Sequence, residues 1–171
     1  MNIFFLNEFA EQAARDHCDK HVVKMILETA QLMNTAIWAC MRENGWQMET
    51  PYRVTHLNHP CALWARKTSE NFRWLLDLGM ELALEYERRY NPKREHKSVE
   101  VMRWCWARRE YIPEGKLTEP PQCMPDEYKV PNDPVLAYRR YYRGDKQRFA
   151  KWRTGKIPTW WVDPAVTSVC A

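Results

Sequence analysis

Apolar residues fall at helical spacing most clearly between Asp16 and about Met41. Val22, Ile26, Met33 and Ile37, flanked by Val23, Leu27 and Ala30, predict one apolar helix face. His17, His21, Lys24, Glu28, Gln31 and Thr35 step by three or four residues and line a polar stripe beside it. Solvated faces are usually mixtures of Glu, Lys, Arg and Gln, whereas this one sets two imidazoles, an ammonium and a carboxylate in a row. Two readings follow. The stripe is either ordinary surface with a Lys24–Glu28 pair, worth a few tenths of a kcal/mol, or the wall of a polar cleft. Asn44-Gly45 supplies a normal C-terminal stop.

The remaining pattern predicts more helices and two irregular stretches. Asn2 to Leu6 is a short apolar run suited to an edge strand or to an extended arm packed on the core. Glu8 to His17 reads as a first helix, with Ala10, Ala13 and Ala14 allowing close packing. Residues 46–59 form a connector, and Asn58 or His59 ahead of Pro60 marks a helix start. His56 and His59, beside Arg53 and Asn58, then sit where backbone N–H groups favour an anion, as caps or as substrate contacts. Pro60 to Tyr90 is helical with a break near Thr68-Ser69, and Leu75, Leu78, Leu82 and Tyr86 make its core stripe, extended by Leu63, Trp64 and Phe72. Asn91-Pro92 ends it. The basic turn 93–97, with His96 and Lys97, is solvated surface or a phosphate contact, and a further helix follows from Ser98 to about Arg109. Residues 110–134 hold six prolines and read as an ordered, irregular loop. Asp133-Pro134 opens a last helix to about Trp152, with a kink at Gly144. The expected fold is mainly α: a single compact helical domain over residues 1–171, with a short extended N-terminal arm and a Pro-rich loop before the last helix.

Composition narrows the chemistry. At 171 residues and 45% hydrophobic the chain can bury a real core. Five glycines and no GxGxxG or GxxxxGK[ST] argue against a nucleotide-binding glycine loop. Cysteines 18, 40, 61, 105, 123 and 170 form no CxxC pair, and there is no signal peptide and no membrane-length apolar run. Free thiols and a cytoplasmic location, within a host cell for a phage-encoded chain, are the expectation. His17/His21 and His56/His59 could place imidazoles around a metal, but spacing fixes no third ligand. The sequence therefore implies no metal and no cofactor, and no obligate protein partner is evident.

Charge is unevenly spread. The net charge is +4, yet Tyr138 to Trp161 alone carries eight Lys/Arg against one Asp. Arg139, Arg140, Arg143, Lys146, Lys151, Trp152, Trp160 and Trp161 interleave cations with rings. Cations track phosphates and aromatic faces accept unstacked bases, so DNA or a nucleotide is the expected partner. Helical periodicity also allows about half of these rings to be core.

The sequence resembles, nearly end to end, a group of small phage-encoded proteins sharing the MNIF start, DKHVVKMILETAQL (Asp19 to Leu32), THLNHPC (Thr55 to Cys61), MPDEYK (Met124 to Lys129) and a final PTW. That likeness carries no function. More loosely, it resembles the phage pyrimidine-dimer DNA glycosylases. Ala14 to Lys24 is similar to their early helix, His59 to Tyr86 to their long middle helix, and Pro158-Thr159-Trp160-Trp161 to their aromatic end. The resemblance implies an all-α enzyme whose terminal α-amine forms a Schiff base at the sugar C1′ beside a catalytic carboxylate. Two departures stand out. Asn2 is bulky and would leave Met1 in place, making the nucleophile the Met1 amine or a lysine such as Lys20 or Lys24. The family's glutamate falls closest to His21, with Asp19 and Glu28 as the nearby carboxylates.

On this reading the protein is a DNA-acting glycosylase for damaged or modified pyrimidines, with abasic-site lyase activity a further possibility. Asp19 or Glu28 would stabilise positive charge at the sugar or activate water, His21 would transfer a proton, and Lys24 would bind phosphate or act as the amine. His17, Arg53, His56, Asn58, His59, His96 and Lys97 would contact substrate. Two alternatives stay open. One is a nucleotide or phosphate-ester enzyme with a His-lined metal or phosphate site. The other is a non-catalytic phage protein that binds nucleic acid or a host factor.

Overall fold

The computed structural model describes residues 1–153 and 156–162. Its helices are α1 (Ala10–Asp16), α2 (Asp19–Glu43), α3 (Pro60–Ala65), α4 (Ser69–Tyr90), α5 (Ser98–Trp106), α6 (Pro134–Asp145) and α7 (Thr159–Val162). Short 3-10 turns lie at Arg109–Tyr111 and Asp126–Tyr128, and no strand occurs among the described residues. The mainly helical expectation is met.

The long helix α2 is the axis of the molecule. Val22, Met25, Ile26, Leu32, Met33, Ile37 and Met41 on it are almost completely buried. It packs against α3, α4 and α5, while α1 lies on α4. Each such side chain removed from water contributes roughly 1.5–3 kcal/mol before entropy is counted. Gly79 lets α4 pack tightly at this point, because a Cβ there would overlap the side chains of Thr29 and Met102. Local signals set the ends. Thr68 Oγ1 accepts the Asn71 N–H and Asp133 the Leu136 N–H, while Asn91 closes α4 in the left-handed region at φ 45°.

The N-terminal run is an arm, not an edge strand. Ile3, Phe4, Phe5 and Leu6 are buried, and Phe4 takes a positive φ of 42°, a cost that its packing offsets. Its ring lies 4.5 Å from that of His21 on α2 and 5.3 Å from that of Tyr142 on α6. The arm thereby fills the groove between those two helices. Asn2 anchors its start: Oδ1 accepts the Tyr138 hydroxyl at 2.8 Å and Nδ2 donates to the Cys123 carbonyl at 2.8 Å. The Pro-rich loop is thus tied to the arm and to α6.

Two helix ends differ from expectation. The predicted last helix stops at Asp145, short of Trp152, because Gly144 lies flush against the Tyr128 ring and the chain turns there. The helix from Ser98 ends at Trp106 and passes into the 3-10 turn. Among the described residues no helix is long and apolar enough to cross a membrane.

Candidate active site

The helix expected from Asp16 is broken at His17 and Cys18, so of the predicted polar stripe His17 lies in the turn between α1 and α2 and the rest on α2, and its parts meet different fates. His17 and His21 are buried, and so is Thr35. His17 Nδ1 donates to the Ala13 carbonyl at 2.6 Å, and His21 Nδ1 meets the Tyr142 hydroxyl at 2.5 Å beneath Phe4. Burial pulls His17 down to about 4 and His21, with help from the neighbouring His17, Lys146 and Lys24, down to about 3. Both rings are neutral at physiological pH and covered by protein. This corrects the expectation that His17 contacts substrate and that His21 transfers a proton near neutrality. The arm and α6 roof this half of the stripe, and helical periodicity does not reveal a lid supplied by residues so distant in sequence.

Asp19 is likewise occupied by structure. At the first turn of α2 it takes Arg89 Nη1 at 3.2 Å and the Arg153 N–H at 2.9 Å. Arg89 itself is fully buried between Asp19, Glu85 and the carbonyls of His17 and Arg15. At 1.5 Å rise per residue, Asp19 lies about 13 Å along the helix from Glu28, so the two carboxylates do not form one pair.

Glu28 is the carboxylate that meets the arm. Its Oε2 accepts the backbone N–H of Asn2 at 2.9 Å, in a buried contact, and its Oε1 pairs with Lys24 Nζ at 2.9 Å. Glu28 is only 8% exposed, whereas Lys24 reaches into solvent. His59 stands nearby at the start of α3. Its pKa is lowered by partial burial, then by the Met1 α-ammonium and His56, and is raised by Glu28. The rings of His56 and His59 are 6.3 Å apart, and His56 is exposed at φ 53°. Cys61 and Cys123 complete the surroundings, with their sulfurs 3.5 Å apart.

The structure therefore gathers Met1, Asn2, Lys24, Glu28, His56 and His59 around the chain's beginning. Arg53 and Asn58 lie exposed on the same connector, which Arg66 fastens by donating to the Leu57 carbonyl at 2.7 Å. Because α3 has only six residues, its dipole is a weak lure for an anion, and His59 Nδ1 is spent on capping Cys61 N–H at 3.2 Å. His96 instead caps Ser98 and lies against Tyr86 at 5.6 Å, with Lys97 exposed beside it. Among the described residues no hydrogen bond or ring contact joins His96 or Lys97 to Glu28 or His59.

The basic tail is pinned rather than loose. Trp160 is buried and donates its indole N–H to Asp16 Oδ2 at 2.7 Å; Trp152 donates to the Asp16 carbonyl at 3.1 Å. Trp161 packs its ring 4.9 Å from Trp152 and 6.0 Å from Trp160. Burial removes Trp160 from the rings expected to meet bases, while Trp152 and Trp161 are tethered but only half-buried. Arg139 donates to the Leu6 carbonyl at 2.9 Å, Arg143 to the Trp160 carbonyl at 3.2 Å, and Lys146 to the Tyr141 hydroxyl at 3.0 Å. The half-buried Arg140 keeps its Nε out of solvent, with no hydrogen-bond partner there among the described residues. A cleft of about 730 Å³ between α1, α6 and the Trp160 segment is lined by Arg15, Arg88, Arg139 and Lys156, with none of the Glu28 group in its wall.

The tail nevertheless delivers charge to the start of α2. The Lys151 carbonyl accepts the Asp19 N–H at 2.8 Å, which sets exposed Lys151 and Arg153 beside that helix end. Lys20 sits 5.1 Å above the Phe149 ring, and exposed Lys20 and Lys24 continue the cationic line along α2 to Glu28.

A buried carboxylate clasping the nitrogen of residue 2, at the end of a line of cations, gives this helical domain a candidate site for chemistry on a polyanion. The chain belongs to the pyrimidine dimer DNA glycosylase family, whose model matches residues 1–98. No curated protein and no solved structure matches it. The matched span carries the arm, Glu28 and His59. The family resemblance puts the expected glutamate nearest His21; in the structure it is Glu28, two helical turns further on, that meets the arm. What sequence reasoning missed was the partner, since Asn2 reads as the start of the arm and as the bulky residue that retains Met1, with nothing to pair it with Glu28.

Proposed function

We propose that this protein removes dimerised pyrimidines from DNA and then cleaves the strand at the resulting abasic site, using its N-terminal α-amine as nucleophile and Glu28 as the partner carboxylate. The observation that carries this reading is the 2.9 Å bond from the Asn2 nitrogen to Glu28 across 26 residues of chain. In the present chain that nitrogen is an amide. Excision of Met1 would convert it in place into a primary amine; retention of Met1 puts the amine one residue away, where its charge acts on His59, Cys61 and Cys123.

The amine attacks C1′ as the glycosidic bond breaks, and the base leaves with the bonding pair. The amine's protons depart as a Schiff base forms with the opened sugar. Loss of a C2′ proton then expels the 3′ phosphate by β-elimination. Glu28, held almost dry, stabilises the positive charge that develops at C1′ and on nitrogen, an effect that is large in a water-poor site. Lys24 pairs with Glu28 at 2.9 Å and, being exposed, also faces the phosphate backbone. Lys20, Lys151 and Arg153 extend that attraction, and the target nucleotide must leave the stack to reach the amine.

The test is incubation with ultraviolet-irradiated duplex DNA under borohydride, which reduces an imine to a stable adduct. Peptide mapping should place the adduct on residue 1 or 2. An adduct on Lys20 or Lys24 would overturn the nucleophile, and no adduct or strand cleavage would overturn the lyase step.

A further inference from the structure

The proposed reaction leaves three groups beside the arm unused: His59, Cys61 and Cys123. One donor atom from each lies within 4.8 Å of the others. His59 and Cys61 come from the start of α3, and Cys123 from the Pro-rich loop, 62 residues from Cys61. Spacing alone could not have paired them. The two sulfurs stand 3.5 Å apart, with the Cys61 thiol donating to Cys123.

That separation discriminates between chemistries. A disulfide requires sulfurs about 2.05 Å apart. Two thiolates on one tetrahedral Zn²⁺, each at about 2.3 Å, stand about 3.8 Å apart, close to the spacing seen. The His59 imidazole within reach supplies a third ligand of the kind zinc accepts, its Nδ1 lone pair exchanging the long 3.2 Å bond from the Cys61 N–H for the ion, and a disulfide would have no use for it.

We propose that His59, Cys61 and Cys123 form a binding site for a thiophilic divalent cation, Zn²⁺ being the natural occupant, with the fourth position open. Binding displaces the Cys61 proton and releases it to solvent. The role is structural. The Asn2 side chain hangs on the Cys123 carbonyl at 2.8 Å and accepts the Ile3 N–H at 2.8 Å. A cation there would lock α3 and the Pro-rich loop together behind the residues that present the amine. This assignment does not depend on the glycosylase reading, since it rests on the donor set alone.

The test uses full-length protein, reduced and stripped with a chelator, then titrated with Co²⁺. The expected result is one Co²⁺ per chain, with thiolate-to-cobalt charge-transfer absorption and tetrahedral visible bands, both erased by Zn²⁺. Zn²⁺ should also raise Tm. Cys123→Ala, at a half-buried position, should keep the far-UV dichroism of the parent, lose the charge-transfer band and weaken binding by about 100-fold or more. Cys40→Ala and Cys105→Ala should leave the band intact. Reduced wild type without a thiolate band would overturn the proposal, as would a band that survives Cys123→Ala or a site that takes up only an oxidised Cys61–Cys123 pair. Borohydride trapping, run on the same Cys123→Ala sample, reports on the catalytic reading separately.

Discussion

Lowering the pH from 7 to 5 should cost this protein about 4 kcal/mol of folding stability through His17 and His21. The folded chain holds them at about 4 and about 3, against 6.5 for a free imidazole. A depressed folded pKa means that the unfolded chain binds the proton more readily. Stability from these groups is therefore full above pH 6.5 and falls as the pH drops toward their folded values. Over the interval from pH 7 to pH 5 each ring contributes a loss of about 2 kcal/mol. Set against a typical total of roughly 5–15 kcal/mol, that loss is large. His59 and His96, also lowered mainly by burial, add in the same direction. Asp16, raised by burial, works in the opposite sense, and repeating the measurement with Asp16→Asn removes its contribution. The assay is urea unfolding at both pH values and equal ionic strength, extrapolated to water. Two findings would refute the reasoning: unfolding free energies within about 1 kcal/mol of each other, or a His21 ring whose NMR signals titrate near 6.5.

Other outcomes follow from specific contacts. Arg89→Met leaves the buried Glu85 carboxylate to Arg88 alone and removes the buried bonds to Asp19 and to the carbonyls of Arg15 and His17, and should destabilise by about 3–5 kcal/mol in chemical unfolding. Gly79→Ala drives a methyl into Thr29 and Met102 where α4 crosses α2, and should cost about 1–3 kcal/mol, visible as a lower Tm. Replacing Lys20, Lys24 and Lys151 together by Gln should weaken binding to undamaged duplex. The salt dependence of that binding should become shallower by nearly one unit of slope for each phosphate no longer neutralised; an unchanged slope would remove this line of cations from the DNA path.

Much of the architecture could be read from residue order. Helix starts written by Pro60, Thr68 and Pro134, and stops at Asn44-Gly45 and Asn91-Pro92, all lie where local chemistry dictates them. The α2 stripe was the instructive failure. Its spacing announced a second special face but could not say whether water, substrate or protein covered each residue. The arm covers His17 and His21 because Phe4 adopts a positive φ and Tyr142 lies 121 residues beyond His21. Glu28 was legible as a candidate, yet its meaning depends on Asn2, a contact without local signal. The tail misled for a related reason: its indoles looked available for bases, but Asp16, from the far end of the chain, holds Trp160 through its carboxylate and Trp152 through its backbone carbonyl.

Glu28 carries the account, and one comparison tests it most directly. Strand cleavage of duplex DNA containing a single pyrimidine dimer is measured for wild type and for Glu28→Gln, alongside the affinity of each for undamaged duplex. Glutamine can still accept the Asn2 N–H but brings no negative charge to the sugar. The expected result is a rate lower by about 10²–10³-fold with DNA affinity essentially retained. A Glu28→Gln enzyme that cleaves at the wild-type rate would contradict the claim that this carboxylate, held against the start of the chain, does the chemistry.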